Sequence, residues 1–409
     1  MSGAARTYEY AVRDRSGKMV KGRIEASNEA AVANRLKTMG MAPLSISEVQ
    51  NTGLNRDISI PGMGEKITLK DLAVMARQMA TMISAGLSLL RTLSILAQQT
   101  ENKALAKVLA TVRNDVETGT SLSAAIGRHK DTFPPLMINI IKAGEVGGFL
   151  EQALLSVAAN YESEVKLRAQ IKSAMTYPVM VFIMAILAVV GMLLFIVPVF
   201  EQMFTDLGGE LPAPTKVLVF LSGVMKWLAP VLLVVSIVFS VWWRKHKNDD
   251  AVRSKKDPLF LKIPIFGPLF QKVAIARFTR NFGTMLGAGV PILQALDIVG
   301  ETSGNWVIEV AVKDVQDNVR TGQSLSAPLA KHPVFPPMVV QMIATGEDSG
   351  AMEIMLEKIS DFYDEEVTST TEQLTSLIEP LMIGILGTVI GGMIIALYMP
   401  IFSIFELVG

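Results

Sequence analysis

Two long apolar runs dominate the hydrophobic pattern of this chain, and each is preceded by a series of amphipathic segments. Ser173 to Phe200 and Pro380 to Phe405 carry no ionisable side chain, and both exceed the ~20 residues a helix needs to cross a bilayer. Val217 to Trp243 is apolar except for Lys226, with Trp227 near one end and Trp242-Trp243 at the other. The indole pairs suit an interfacial position, and Lys226 can snorkel to the nearer surface. The pattern predicts spans at 173–200, 217–243 and 380–405.

Before the first span the pattern changes to helical period. Thr68-Leu69-Lys70-Asp71 resembles a capping box, and Leu72, Ala76, Met79, Ile83 and Leu87 follow at spacings of four and three, as one face of a helix requires. Gly86 predicts its end, Asn102 to Thr118 a further helix closed by Gly119, and Ser121 the cap of a short one. Phe133-Pro134-Pro135 breaks the chain, Gly144 to Gly148 breaks it again, and a long helix from about Phe149 leads to Pro178. Residues 1–55 differ. Tyr8 to Glu25 alternates around Ser16-Gly17-Lys18 as a hairpin does, Glu29 to Met39 reads as helix, and Leu44 to Val49 reads as a third strand. The stretch 56–67, within a segment holding Pro61 between glycines, reads as a linker.

The helical pattern then occurs a second time. SAGLSLLRTLSIL from Ser84 aligns with GAGVPILQALDIV from Gly287, setting Gly86 over Gly289 at an offset of 203 residues. After one deleted residue the offset becomes 202: Gly144-Glu145 pairs with Gly346-Glu347, Gly148 with Gly350, Glu151 with Glu353, and Pro178 with Pro380. A period this long is that of a duplicated domain, not of a solenoid. The expected fold is therefore an all-α membrane protein with two tandem six-helix antiparallel bundles, 68–172 and 271–379, three transmembrane helices and a small α+β N-terminal module. Residues 201–216 become an outer loop, 244–270 a basic connector, and 406–409 an outer tail.

Orientation follows from charge and duplication. Arg244, Lys245, Lys247, Arg253, Lys255 and Lys256 follow the middle span, whereas 201–216 offers only Lys216, so the connector is expected to be cytoplasmic. Like domains should share a compartment, and the middle helix returns the chain between them. The N-terminal thirty residues are too polar and acidic for a secretory signal, so the N-terminus is expected inside and the C-terminus outside.

Composition narrows the chemistry. Half of the residues are apolar, and Lys plus Arg equals Asp plus Glu at 38 each, leaving no basic field for nucleic acid. With no cysteine, thiol nucleophiles and cysteine-held metals are excluded. His129, His246 and His332 lack metal-ligand spacing, and no phosphate-binding loop, H-E-x-x-H or G-x-S-x-G occurs. No cofactor, metal or catalytic residue is expected. The absence of an ionisable group near the centre of any span argues against transport, although a channel of oligomerised spans is the alternative reading.

The doubled G-E-x-x-G is the sharpest soluble signal. Its glycines Gly144, Gly148, Gly346 and Gly350, with the turn residues Gly86 and Gly289, read as structural. Glu145, Glu151, Glu347 and Glu353 read either as carboxylates favouring the dipole of the following helix or as an acidic contact for a basic partner or a cation. In the third span Gly384, Gly387, Gly391 and Gly392 form a small-residue face suited to close helix packing, internal or with a second protomer.

A small N-terminal module, two helical domains each with an early turn glycine and a later G-E-x-x-G, and three spans in this order together resemble the inner-membrane platform proteins of type II secretion and type IV pilus machines. The resemblance covers essentially the whole chain. It implies a non-enzymatic scaffold in the bacterial cytoplasmic membrane, homo-oligomeric and in contact with lipid and other machine components. It further implies coupling of a hexameric ATPase on the cytoplasmic domains to assembly or withdrawal of a pilin or pseudopilin filament at the membrane region. Two departures stand out: Ser349 takes the place of Gly147, and Trp306 enters the second copy's counterpart of the Asn102 helix.

Overall fold

The computed structural model describes residues 6–13, 19–26, 29–38, 42–48, 65–206 and 211–408. The predicted hairpin turn at Ser16 to Lys18 and residues 56–64 of the 56–67 linker lie outside the described residues. Two compact units divide the chain, Met1–Glu65 and Lys66–Gly409. In the first, β1 (Arg6–Arg13) pairs antiparallel with both β2 (Met19–Ala26) and β3 (Ala42–Glu48), giving the order β2-β1-β3. Helix α1 (Glu29–Thr38) buries Val32 and Leu36, one turn apart.

The second unit is helical throughout its described length. Its first half comprises α2 (Leu69–Ser84), α3 (Leu89–Gln99), α4 (Lys103–Glu117), α5 (Leu122–Gly127), α6 (Pro135–Gly147) and α7 (Leu150–Gly191). The Thr68 hydroxyl accepts from the Asp71 amide at 3.3 Å while the Asp71 carboxylate accepts from the Thr68 amide at 2.8 Å, closing the capping box of α2. Burial would raise the Asp71 carboxyl, but these hydrogen bonds and one from Asn102 hold it below its ordinary value. At the other break, Phe133 is buried while Pro134 and Pro135 occupy the cap and first turn of α6, where proline's missing N–H costs nothing.

Helix α7 does not stop at the membrane boundary. It runs through Pro178, continues as a π-helical segment at Met192–Ile196, and passes into α8 (Val197–Asp206). The expected outer loop at 201–216 therefore begins as helix, because lipid and the adjoining interface favour a backbone that satisfies its own hydrogen bonds. Helix α9 (Ala213–His246) contains the middle apolar segment. Among the described residues three helices are long and apolar enough to cross a membrane, the third within α16 (Met352–Val408).

The basic connector expected at 244–270 is largely helical. It holds α10 (Asp250–Lys262) and the start of α11 (Phe266–Gly287), bent by 119° at the break between them. Asp257, Arg253 and Phe260 share one face of α10. The Asp257 carboxylate accepts from the Trp306 amide at 2.8 Å, and Arg253 pairs with Glu309 at 2.7 Å while lying 5.7 Å over the Trp306 ring. Trp306 begins α13 (Trp306–Arg320), so the second half's departure from the repeat is the docking site of α10. Helices α12 (Ile292–Thr302), α14 (Ser326–Leu329) and α15 (Pro337–Ser349) complete the second half.

A single connected apolar core draws on both halves, from Leu72 to Tyr161 and from Ala274 to Tyr363. Phe133 sits within it at 1% exposure, whereas Val146 is 82% exposed. Phe133→Ala is expected to cost about 3–5 kcal/mol and Val146→Ala under about 0.5 kcal/mol, read from thermal unfolding of the purified protein. Asp71, ionised more easily in the fold than in the unfolded chain, contributes stability above its unfolded pKa that is lost as pH falls through the lower folded value. Asp71→Asn should flatten that acid limb of the unfolding midpoint.

Candidate functional site

The G-E-x-x-G motif resolves into three separate physical jobs. A Cβ at Gly144 would lie 2.3 Å from the Ala153 Cβ, and one at Gly346 would lie 3.1 Å from the Met352 Cα, so the first glycine lets the long helix approach α6 or α15 at backbone distance. The last glycine ends that helix in the left-handed region, with φ of +77° at Gly148 and +68° at Gly350.

Between them the glutamate reaches back across the fold. The Glu145 carboxylate accepts from the Leu122 amide at 2.6 Å, the Ser123 amide at 3.0 Å and the Ser123 hydroxyl at 2.6 Å, at the start of α5. Glu347 repeats this on the Leu325 amide at 2.8 Å and the Ser326 amide at 3.3 Å, at the start of α14. Both carboxylates thus complete the first turn of a short helix, where unpaired amides and the helix dipole favour an anion. Their reading as free partner-facing or cation-holding groups does not match this geometry. Glu151 and Glu353, by contrast, are exposed in the first turns of α7 and α16. No cluster of three or more His, Cys, Asp or Glu suited to a metal occurs among the described residues.

Ser349 in place of Gly147 also has a physical reason. A Cβ at Gly147 would fall 2.0 Å from the Phe149 ring. In the second copy Ala351 stands where the first has Phe149, so the ring is gone and a side chain fits. Phe149 itself reaches the other half, its Cζ lying 3.6 Å from where a Cβ of Gly289 would sit.

Charge pairs tie each half together and then join the two. Arg77 and Glu162 form a two-pronged pair at 2.7 and 2.5 Å between α2 and α7. Their repeat equivalents Arg280 and Asp364 also pair, between α11 and α16; burial pushes the Asp364 carboxyl up even against the pull of Arg280. Across the seam between the halves, Glu164 of α7 binds Arg277 of α11 at 2.7 and 3.0 Å. Asn160 donates to the Asn281 side-chain carbonyl and the Thr284 hydroxyl, each at 3.1 Å. Burial pushes the Arg277 guanidinium down, with Glu164 opposing. None of these pairs was identified from the sequence; like charges at repeat-equivalent positions 77/280 and 162/364 were the available signal.

In the membrane region the faces are open. A Cβ at Gly384, Gly387, Gly391 or Gly392 would meet nothing within 4 Å, so no described segment of this chain packs closely there. Between the apolar parts of α7 and α16 lies a cleft of about 720 Å³ lined by Pro178, Phe182, Ile186, Met382 and Ile385 among others. On the α9 side, Thr215 bonds to the Ala396 carbonyl at 2.5 Å, and Leu193, Val197, Leu218, Met393 and Leu397 cluster around it.

Comparison with known proteins matches the two halves separately. The family described as type II secretion system (T2SS), protein F matches residues 75–198 and again 278–400. The chain belongs to this family. Its N-terminal domain family matches residues 1–47. Among relatives, the chain is 42% identical to a type IV pilus assembly protein PilC of Myxococcus xanthus, over 98% of this chain and 95% of the relative. It is 41% identical to the PilC of Thermus thermophilus, over 97% of this chain and 98% of the relative. Identity to a type II secretion system protein F of Xanthomonas campestris is 32%, over 98% and 99%. The doubled family match falls on the doubled G-E-x-x-G geometry, so the capping glutamates and the Arg77–Glu162 and Arg280–Asp364 pairs sit at equivalent places in both protein F repeats.

Removing Glu145 or Glu347 is expected to cost about 1–2 kcal/mol each, the worth of a lost helix cap, while Gln at either position should recover part of it. Glu164→Ala leaves Arg277 without its partner in a mostly buried place and should cost about 2–3 kcal/mol. The Glu164→Ala/Arg277→Ala double variant should cost less than the sum of the singles, as a double-mutant cycle on unfolding would record.

Proposed function

We propose that this protein is a non-enzymatic platform in the bacterial inner membrane that couples a cytoplasmic hexameric ATPase to assembly or withdrawal of a pilin or pseudopilin filament. The observation that carries this reading is the continuity of α7 and α16. Each begins in the helical half with a first turn bearing an exposed carboxylate, and each runs unbroken into an apolar segment. A push on either half is transmitted along a helix that continues through Pro178 or Pro380 into the apolar segment, so displacement at one end becomes displacement in the membrane. The names of the relatives, type IV pilus assembly protein and type II secretion system protein F, support the same assignment.

In this reading the two halves are paired six-helix domains on the cytoplasmic side, with the N-terminus inside and the C-terminus outside. The protein works in this reading as a homo-oligomer, and the uncovered Gly384 to Gly392 face with its neighbouring cleft receives another apolar helix, that of a pilin or of a second protomer. Motor contact is assigned to Glu151 and Glu353, because Glu145 and Glu347 are occupied by their helix caps.

Binding of the cognate ATPase to the full-length protein in lipid discs tests the coupling. Glu151→Lys and Glu353→Lys together are expected to weaken it by about tenfold or more, as charge reversal at a contact does, with unfolding temperature unchanged. Equal binding would remove these carboxylates from the contact, and no binding by the unaltered protein would defeat the coupling itself. Topology is read independently with a membrane-impermeant thiol reagent, since the chain has no cysteine of its own. Glu365→Cys is expected to label only from the cytoplasmic side and Thr205→Cys only from the opposite one.

A further inference from the structure

The bend between α10 and α11 carries a residue that neither the backbone nor the core explains. Its centre is Ile265, with φ of +74° and ψ of −49°, and the Phe266 amide donates across it to the Pro264 carbonyl at 2.9 Å. This is a γ-turn of the strained hand, which suits glycine far better than a β-branched side chain. Among the described residues no other non-glycine position has a positive φ. Docking of α10 on α13 sets the bend, but it does not choose the side chain at the apex. Ile265 is 51% exposed, so that side chain adds little to the core.

The same elbow exposes Leu259 at 62% and Phe270 at 36%. From within it is closely packed: the Phe260 and Phe270 rings stack across it at 5.4 Å, and a Cβ at Gly267 would lie 2.3 Å from the Leu261 carbonyl oxygen. The outer face of α10 differs from its docked face. Arg253, Asp257 and Phe260 turn toward the second half, whereas Lys255, Leu259 and Lys262, also spaced by four and three, are all exposed. Depth is fixed by Phe266, which lines the cleft between α7 and α16 together with Pro178, Ile378 and Leu381. The apex therefore stands where both long helices turn apolar, and an exposed apolar patch at that level marks a covered surface.

We propose that the α10–α11 elbow is an interfacial anchor, its apex at Leu259, Ile265 and Phe270 seated among the headgroups and upper acyl chains of an anionic bilayer. The occupant is lipid because the patch adjoins the apolar parts of α7 and α16, which lipid already surrounds. Its charge agrees: Lys255 and Lys262 flank Leu259 on one face, so their apolar stems lie along the interface while the ammonium groups meet lipid phosphates. Anchoring ties the second half to the membrane at a point distinct from its spanning helix. A push on that half is then resisted at the elbow, and α16 turns about a fixed point instead of the whole half being displaced. The inference rests on the reading of this chain as a membrane protein and goes beyond it in assigning lipid to a segment between two spans.

Because the chain has no cysteine of its own, single positions can report their surroundings. In full-length protein in discs of phosphatidylcholine and phosphatidylglycerol, Ile265→Cys and Leu259→Cys carry a fluorophore. Val238→Cys in the middle span and Val146→Cys on the first half give the lipid and water references, all four side chains being exposed. Phospholipid brominated near the top of its acyl chains is expected to quench the labels at 265 and 259 several-fold more than the label at 146, and aqueous acrylamide several-fold less. Acrylamide quenching equal to that at 146 would overturn the anchor. Protection from acrylamide without quenching by brominated lipid would overturn it too, by placing protein over the apex. Lys255→Glu/Lys262→Glu is expected to reduce lipid quenching at 265 several-fold with the unfolding temperature unchanged, and no reduction would overturn the part given to charge. A label at 238 that brominated lipid does not reach would defeat the membrane reading and the anchor together, whereas a quenched 238 beside an unquenched 265 defeats the anchor alone.

Discussion

A helix that enters lipid must satisfy its backbone internally, and in this protein that constraint reaches well outside the membrane. Lipid offers no partner to a free amide or carbonyl, and the apolar parts of α7 and α16 are accordingly helical, accommodating Pro178 and Pro380 without a break. Each also serves as the last helix of its half, buried along one side through Leu154, Val157 and Tyr161 or through Leu356, Ile359 and Tyr363. Core packing and membrane crossing therefore act on the same rigid rods. Mechanical continuity needs no added device, because a break between bundle and span would expose peptide groups where nothing could bond them.

The rods are held in register by charge. Arg77 with Glu162, and Arg280 with Asp364, pin the first helix of each half to its last. The exposed first pair is worth little by itself. The Glu164–Arg277 pair is more enclosed, and its greater value lies in what its breakage would leave behind, a largely buried guanidinium without its carboxylate. Asn160, buried and bonded to both Asn281 and Thr284, fixes the axial position of one rod on the other, since a slide by one turn would orphan its amide. A seam of this kind tolerates displacement as discrete states better than as gradual slippage.

Divergence between the copies follows local steric bookkeeping. Gly147 with Phe149 and Ser349 with Ala351 are alternative solutions at one turn, ring with no Cβ or Cβ with no ring. Trp306 answers to α10, whose contact with α13 has no counterpart among the described residues of the first half. Each change is matched by another that touches it, so the common frame survives while the surfaces part company. The paired carboxylates show the opposite behaviour: Glu145 and Glu347 hold the same place in both copies, taking the first two amides of the short helix while Ser121 and Ser324 accept from the third, at Ala124 and Ala327.

Much of this was legible from residue order alone. Apolar length is a one-dimensional property, so the three candidate spans could be located directly; a capping box is local, so Thr68 and Asp71 placed the start of α2; and repetition is visible without coordinates, so the two family matches fall where the offset of Gly86 and Gly289 put them. Residue order could not decide what a side chain does across a distance. Glu145 lies 22 to 23 positions from the amides it caps, and Glu164 lies 113 from Arg277; no periodicity links such partners. The elbow at Ile265, in the left-handed region with φ of +74°, is likewise imposed by the docking of α10 on α13, against the preference of a β-branched residue. Local pattern determined which segments are helices and which can enter lipid, because those depend on neighbours along the chain. Only the tertiary structure decided that Glu145 and Glu347 reach back to the starts of α5 and α14 and that Glu164 meets Arg277 across the seam, because those depend on neighbours in space.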